Sequence, residues 1–499
     1  MAMVIAMLKL GASLSRKTNH VLGLLENRNV SAMSVILECC CEKYKTKIFT
    51  LINSDAPQKP NKPRFRLSVY FYHMKRFFAF GILLCSITLS AQIAPDNIVM
   101  PCIKTVKLFQ QNNQESLPII NLNSSDIIEL HFDDMDGYVK NYYYTFTLCN
   151  ANWQPADLSS FDYLKGYQQQ RLTQYRPSSI AQTKYVHYQA QLPDRNCVPT
   201  KSGNYLLKVF LNGDTTQLAF TKRFYVVNSR ANIGARVMLP FDNQLAKTHQ
   251  KVQFSVDVTQ LNAQNPTQQL VATVMQNNRT DNLIYNVPIA FLRGNLLEYD
   301  GERGGLFAAG KEYRWADLRS FRFESERIAR IDKSVQPNNI FVKPDGARLS
   351  QQYLYYKDYN GSMVITTTEN VNNWWQTEYG NVTFTYIPEG NQPYIDKDIY
   401  LLGELTNYTL NNNSKLVYNA TKGMYEKTLL LKQGYYDYTY VTKNNTKKNT
   451  VAEANFTEGN YWETENDYTI FIYYRSYSER HDELVGVTTI NSRTGRVGY

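Results

Sequence analysis

The chain has 499 residues, enough for about three domains of ordinary size. Hydrophobic residues make up 43% and charged residues 20%, which excludes a highly charged, intrinsically disordered chain. Residues 1–91 hold 13 Lys and Arg against 4 Asp and Glu, so the net charge of +10 falls to about +1 over the remaining residues. Because phosphate binding needs a basic surface, this near-neutral remainder argues against a nucleic-acid partner.

A secretory signal peptide is indicated inside the chain. Lys75-Arg76 form a basic start, residues 77–89 are an apolar run, and the small Ala91 precedes Gln92. We therefore predict a signal peptide at 74–91, with residues 1–73 a mispredicted, disordered extension before the true start. The alternatives are a genuine extra segment and, for 77–89, a buried core helix. No later apolar run is long enough for a membrane helix.

Cysteines are few once residues 1–91 are set aside. Three of the seven remain, namely Cys102, Cys149 and Cys197, which is too few for a disulfide framework. One bond among the three stays open, with Cys149–Cys197 the favoured pair. The run of adjacent cysteines at 39–41, in the predicted extension, cannot direct all its thiolates at one tetrahedral metal ion.

Strand patterns follow one another from residue 128 onward. Apolar and polar residues alternate with a period of two, which puts one face of each strand in a core and the other in water. The clearest segments are 128–132, 144–148, 207–211, 252–258, 382–386 and 436–440. A helix is suggested only at 156–164.

This pattern predicts an all-β chain of tandem immunoglobulin-like β-sandwiches. Polar stretches that follow strands suggest three domains. Their predicted ranges are 92–228, 229–388 and 389–499.

Motifs for catalysis or metal binding are not found. The acidic segment 133–137 fails as a calcium loop, because the expected ligand positions 132 and 143 are Phe and Tyr. The histidines that follow the leader lack metal-ligand spacing, and there is no nucleophile elbow or phosphate-binding glycine motif. We predict a protein that is not an enzyme and that has no catalytic, cofactor-binding or metal-binding residues.

Arginines interleaved with aromatic residues stand out between 314 and 330, and a tryptophan pair follows at 374–375. Such a stretch is consistent with an edge strand guarded by arginines, a protein contact or a polyanion site. We predict five candidate protein-contact residues: Trp315, Arg319, Arg322, Trp374 and Trp375.

The C-terminal part resembles the immunoglobulin-like modules related to glycogen-binding domains. Those modules have a Gly-x-Phe-x-x-Trp element before a Gly-x-Tyr-x-Tyr strand, and residues 403–408 and 434–438 follow this order. Leu405 replaces the Phe and Tyr408 replaces the Trp. The resemblance implies the fold and leaves a carbohydrate-binding envelope protein as an alternative function.

A wider resemblance extends from Ile103 to Asn491. The segments that carry it are 103–108, 149–153, 163–167, 185–188, 202–207, 276–279, 311–314, 358–361, 431–436, 464–468 and 473–475. Together and in this order they are similar to the type IX secretion system plug proteins of the Bacteroidetes.

The plug resemblance implies a periplasmic, non-enzymatic protein without a cofactor. It would bind the periplasmic opening of the outer-membrane translocon barrel and seal it when idle, peripheral to the membrane and without a transmembrane span. Because release must be easy, we expect a partly polar interface. A secreted hydrolase with an unrecognised site is a third hypothesis.

Overall fold

The structure is a computed structural model that describes residues 96–446 and 451–495. The predicted extension and signal peptide therefore lie outside the described residues. The described chain is nearly all β, as predicted. Its two helices are single turns, α1 at Ser160–Tyr163 and α2 at Pro266–Gln269, so the predicted helix at 156–164 is reduced to four residues. Three short 3-10 turns lie at Thr259–Leu261, Glu389–Asn391 and Glu404–Thr406.

Within the described ranges, no helix is both long and apolar enough to cross a bilayer.

Twelve strands between residues 97 and 227 form an N-terminal sandwich. They are β1 (Asn97–Ile98), β2 (Ile103–Gln110), β3 (Ile119–Asn121), β4 (Ile128–Asp134), β5 (Tyr142–Cys149), β6 (Leu164–Gly166), β7 (Gln170–Arg171), β8 (Gln174–Pro177), β9 (Val186–Leu192), β10 (Cys197–Pro199), β11 (Gly203–Leu211) and β12 (Leu218–Val227).

One sheet of this sandwich has the order β1-β12-β11-β5-β7, with β3 parallel to β12, and the other has the order β2-β4-β9-β8. Strands β6 and β10 form a separate pair. The two larger sheets share a core in which the ring of Phe132 on β4 meets Phe220 on β12 edge to face, 4.9 Å between centroids.

A second sandwich is built from two distant parts of the chain, and we call it the split sandwich. Its strands are β13 (Asn232–Met238), β14 (His249–Asp257), β15 (Leu270–Gln276), β16 (Phe291–Arg293), β17 (Leu296–Tyr299), β18 (Leu306–Ala308), β29 (Asp467–Tyr474) and β30 (Glu483–Asn491). The sheets run β13-β14-β17-β16, with β18 on β14, and β15-β29-β30. Phe307 and Tyr468 join their inner faces, with ring centroids 5.1 Å apart.

The chain between β18 and β29 forms a third, inserted sandwich. Its strands are β19 (Arg314–Asp317), β20 (Ile328–Asp332), β21 (Asn338–Val342), β22 (Asp345–Gly346), β23 (Met363–Val364), β24 (Tyr379–Ile387), β25 (Lys397–Leu402), β26 (Val417–Asn419), β27 (Met424–Lys432) and β28 (Tyr435–Asn444). One sheet runs β20-β21-β24-β27-β26 with β22 on β24, and the other has β28 between β19 and β23, with β25 also on β28. Phe384 and Tyr438 meet edge to face in the shared core.

The predicted boundary between residues 388 and 389 needs correction. Strand β24 ends at Ile387 and pairs with β27 over its length, while β15 pairs with β29. Segments on the two sides of that boundary therefore share sheets, and 389–499 is not a self-contained sandwich. A boundary taken from local polarity cannot detect pairing between strands far apart in sequence. The other boundary, near residue 228, stays a prediction.

The favoured disulfide is also wrong. Cys149 lies on β5 and Cys197 on β10; both are buried and free, and Cys102 is free as well. Burial raises the pKa of both buried thiols to about 12, so they remain protonated at neutral pH.

Candidate docking surface

A buried ion pair joins the N-terminal and inserted sandwiches. Lys432 ends β27 and its Nζ lies 2.5 Å from Oδ2 of Asp133 on β4, with both side chains completely buried. Burial would raise the pKa of Asp133, but the charge of Lys432 and the bonds from its neighbours outweigh that effect and lower it. The carboxylate is thus charged and paired, as a buried charge must be.

Three further side chains complete this cluster, which we call the clamp. Nδ1 of His187 lies 2.7 Å from Oδ1 of Asp133, Nε2 of His187 lies 3.1 Å from Nδ1 of His131, and the Tyr379 hydroxyl donates to Oδ2 of Asp133. Burial lowers the pKa of His187 to about 4 although Asp133 favours the charged form. His187 is therefore neutral at pH 7. We define the clamp as Asp133, Lys432, His131, His187 and Tyr379.

The Asp133–His187 pair has the spacing of a catalytic carboxylate and imidazole, yet its surroundings are structural. The second nitrogen of His187 faces another imidazole, not a hydroxyl or thiol nucleophile. The ring of Trp374 stacks on His131 at 3.8 Å and covers the cluster. What the arrangement does is hold two sandwiches together.

Trp374 and Trp375 attach a long loop, residues 366–378 between β23 and β24, to the N-terminal sandwich. The Trp374 ring stacks on His131 of β4, and the Trp374 carbonyl accepts a 3.2 Å bond from the Tyr185 hydroxyl. The guanidinium of Arg176 lies 4.9 Å from the Trp375 ring centroid, and the Trp375 carbonyl accepts a 2.8 Å bond from the Ser179 amide. The loop is therefore fixed to the N-terminal sandwich by both tryptophans.

Asparagine side chains fix the inside of the loop. Oδ1 of Asn372 accepts from the amides of Trp374 and Trp375 at 2.8 and 3.2 Å, and Nδ2 of Asn370 donates to the Gln376 carbonyl at 2.7 Å. Short polar side chains that bond to nearby backbone stabilise such irregular turns.

Glu369 connects the loop to the neighbouring segment at 320–322. Its Oε1 accepts from the Ser320 hydroxyl and from the amides of Phe321 and Arg322, and its Oε2 accepts from Gln433. Burial would raise the pKa of Glu369, but these bonds outweigh it and lower the pKa. The loop thus has anchors on both sandwiches.

Apolar side chains project from this braced framework into solvent. Val371 at the loop tip is 99% exposed, Phe323 is 76% exposed, and Ile180 on the facing N-terminal turn is 73% exposed. Ile180, Arg322, Lys333 and Asn370 line one shallow cavity of about 340 Å³. Phe323 and Val371 directly follow Arg322 and Asn370 of this lining in the chain, and exposed apolar groups on a rigid support are typical of interaction sites. The candidate docking surface is defined as Ile180, Arg322, Phe323, Lys333, Asn370 and Val371.

The structure brings four of the five predicted contact residues to this region. Arg322 lies on the surface itself, and Trp374 and Trp375 attach the loop that carries Asn370 and Val371 to the N-terminal sandwich. The Arg319 carbonyl accepts bonds from the amide of Thr368 and from the hydroxyl of Thr367 in the loop. Their role as protein contacts stays a prediction.

Trp315 lies apart from the other four. It is on β19, its ring meets Tyr356 edge to face at 5.1 Å, and Arg327 lies over it at 5.6 Å.

Sequence reasoning missed two of the three apolar residues of the surface, whereas Phe323 belongs to the stretch of arginines and aromatic residues between 314 and 330. Ile180 and Val371 each stand in a polar stretch without periodicity. An isolated apolar residue inside a polar loop is the one signal that points to them. Their meeting depends on the contact between two sandwiches, which no local pattern encodes.

Two other candidate sites are filled by the protein's own atoms. Cys102, Asp134 and Asp136 are close enough for a metal, but the Lys140 ammonium lies 2.9 Å from Asp134 and also contacts Asp136. Tyr408, which stands where glycogen-binding modules have their Trp, is buried and offers no open platform for a sugar.

Comparisons with known proteins agree with this architecture. The family model for the first domain of the type 9 secretion system plug protein matches residues 103–228, the N-terminal sandwich. The chain is similar to a hypothetical protein from Parabacteroides merdae that has a crystal structure. The two sequences are 31% identical, the match covers 79% of this chain and 98% of that protein's chain, and the TM-score is 0.76. No curated protein matches. The chain belongs to the type IX secretion system plug protein family.

Proposed function

We propose that the protein is a non-enzymatic plug, which binds the periplasmic opening of the type IX outer-membrane translocon and seals it when idle. Family membership supports a role related to type IX secretion. The proposal places the mature chain in the periplasm, exported by the signal peptide at 74–91 and peripheral to the outer membrane.

The observation that carries the proposal is the candidate docking surface. A plug must keep its shape against the rim of another protein, so its contact groups need rigid support. Val371 and Ile180 belong to different sandwiches, and the contacts of Trp375 and Glu378 hold their segments together. Oε2 and Oε1 of Glu378 accept bonds from the amides of Gln182 and Thr183 at 2.6 and 3.0 Å.

The chemistry of the surface fits a reversible contact. Apolar Val371, Phe323 and Ile180 supply area that favours association, while Arg322 and Lys333 keep the patch partly polar. A mixed interface of this kind is typical of complexes that assemble and separate, in contrast to the core-like interfaces of permanent oligomers.

A pull-down with defined variants tests the proposal. Purified protein from Gln92 onward is expected to capture the translocon from membranes of idle cells. Ile180→Asp with Val371→Asp should reduce capture at least tenfold, because both changes place a carboxylate in an apolar contact. Val417→Asp is the control, since Val417 is 70% exposed on β26 and lies outside the surface. If the Ile180→Asp, Val371→Asp variant captures as much translocon as the Val417→Asp control, and both keep the thermal midpoint of the unchanged protein, the proposed docking surface is refuted.

A further inference from the structure

A groove of about 450 Å³ runs between the N-terminal and inserted sandwiches, apart from the candidate docking surface. Its walls come from four segments of the chain, 96–101, 103–106, 404–413 and 427–431. The volume is in the range typical of ligand-binding clefts.

Strand edges line this groove. Strand β27 pairs with β24 over Tyr425–Lys432, but β26 covers only Met424–Glu426 on its other side. Within the described ranges, no strand pairs with that outer edge over 427–432, and β2 pairs only with β4. An uncovered edge presents amide donors and carbonyl acceptors at the spacing of another strand.

Two half-buried lysines at the groove lack the carboxylate partner that each of the three fully buried lysines in the described chain has. Lys107, Lys251 and Lys432 each form an ion pair with a carboxylate.

Lys104 and Lys427, both half-buried, have no such partner among the described residues, and the Lys427 ammonium donates only to the Asn412 carbonyl at 2.7 Å. Burial lowers the pKa of both lysines, and a carboxylate beside them would relieve that cost.

We propose that this groove binds an extended, acidic segment of a partner polypeptide, which adds as a strand to the outer edge of β27 and sets a carboxylate against Lys104 and Lys427. The unpaired backbone selects an extended peptide, since main-chain hydrogen bonds provide affinity in strand addition. The uncompensated ammonium groups select an acidic one. This site goes beyond the proposed plugging contact and uses different residues.

Peptide binding measured by fluorescence anisotropy tests the site. The probe is a fluorescein-labelled hexapeptide that alternates threonine and valine and has one central glutamate; a second probe has lysine there. The purified chain should bind the glutamate probe at least tenfold more tightly than the lysine probe. Lys104→Glu with Lys427→Glu should reverse that preference, and Lys104→Met with Lys427→Met should abolish it. Lys165→Glu, an exposed change on β6, should leave it intact.

Hydrogen exchange locates the bound probe. Amides within 427–431 should exchange more slowly when the glutamate probe is present. Absence of binding at millimolar probe, equal affinity for both probes, or protection confined to other segments would overturn the proposal. Self-association of the chain would also overturn the proposal if the Lys104→Glu, Lys427→Glu variant abolished it, because the groove would then bind a second copy of the chain. Ile180→Asp with Val371→Asp should leave peptide binding unchanged, which separates this test from that of the plug.

Discussion

Asp133 shows how strongly one side chain determines the arrangement of the sandwiches. Its carboxylate receives Lys432, His187 and Tyr379, so it bonds to groups from β4's own sheet and from the inserted sandwich. From the sequence, Asp133 is only part of an acidic turn and His187 only a histidine in a strand. Their partner Lys432 lies 299 residues away from Asp133, and such a pairing has no local signal.

Removal of one clamp charge should destabilise the protein strongly. Lys432→Met leaves the Asp133 carboxylate buried and unpaired, and we expect a loss of about 3–5 kcal/mol in the free energy of unfolding. Urea denaturation measures it. Lys422→Met, at the half-exposed pair with Glu426, is the control and should cost less than about 1 kcal/mol. Similar losses for the two variants would show that the clamp is not a stabilising contact.

Acid should weaken the fold through His187. Its folded pKa of about 4 lies below the ordinary value of 6.5, so the unfolded chain binds the proton first as the pH falls. This contribution to stability is complete above pH 6.5 and decreases towards pH 4, by at most about 3 kcal/mol.

Urea midpoints measured between pH 7 and 4.5 test this linkage. The decrease should be smaller in His187→Gln than in the unchanged protein. It should not vanish, because burial also lowers the pKa of His131. An identical pH slope in both proteins would contradict the assignment.

The alternation of apolar and polar residues predicted the positions of several strands correctly. It did not predict which strands pair with each other. The alternating segments 128–132, 144–148 and 436–440 lie within β4, β5 and β28. Apolar residues at every second position of β5 are buried, as the period requires. Pairing of β15 with β29 joins residues almost 200 positions apart, as in Thr273 opposite Phe471. The interruption of the split sandwich by the inserted one has no signal in composition or turn chemistry.

Fragments distinguish the two domain divisions. All strands of the N-terminal sandwich pair among themselves, so we expect residues 96–228 to fold alone. We expect residues 389–499 to stay unfolded, since β27 loses β24 and β29 loses β15. Dispersion of amide resonances in NMR spectra reports folding. A folded 389–499 fragment would restore the boundary expected from sequence.

At the scale of the whole molecule, the N-terminal sandwich is the common support. It contacts the inserted sandwich through the clamp and the split sandwich through an apolar cluster, in which the rings of Tyr225 and Phe471 stack at 4.7 Å. The Ala151 amide donates to Oδ2 of Asp482 beside this cluster. Rigid contacts on two sides are what a protein needs to present one surface of fixed shape.

The most direct test of the proposed function is the conductance of the idle translocon in a planar lipid bilayer. We expect open-pore current to fall when the chain from Gln92 onward is added on the periplasmic side. The Ile180→Asp, Val371→Asp variant should leave that current unchanged at the same concentration. If the protein without substitutions binds the translocon to saturation and the current does not fall, the proposal that this protein seals the pore is contradicted.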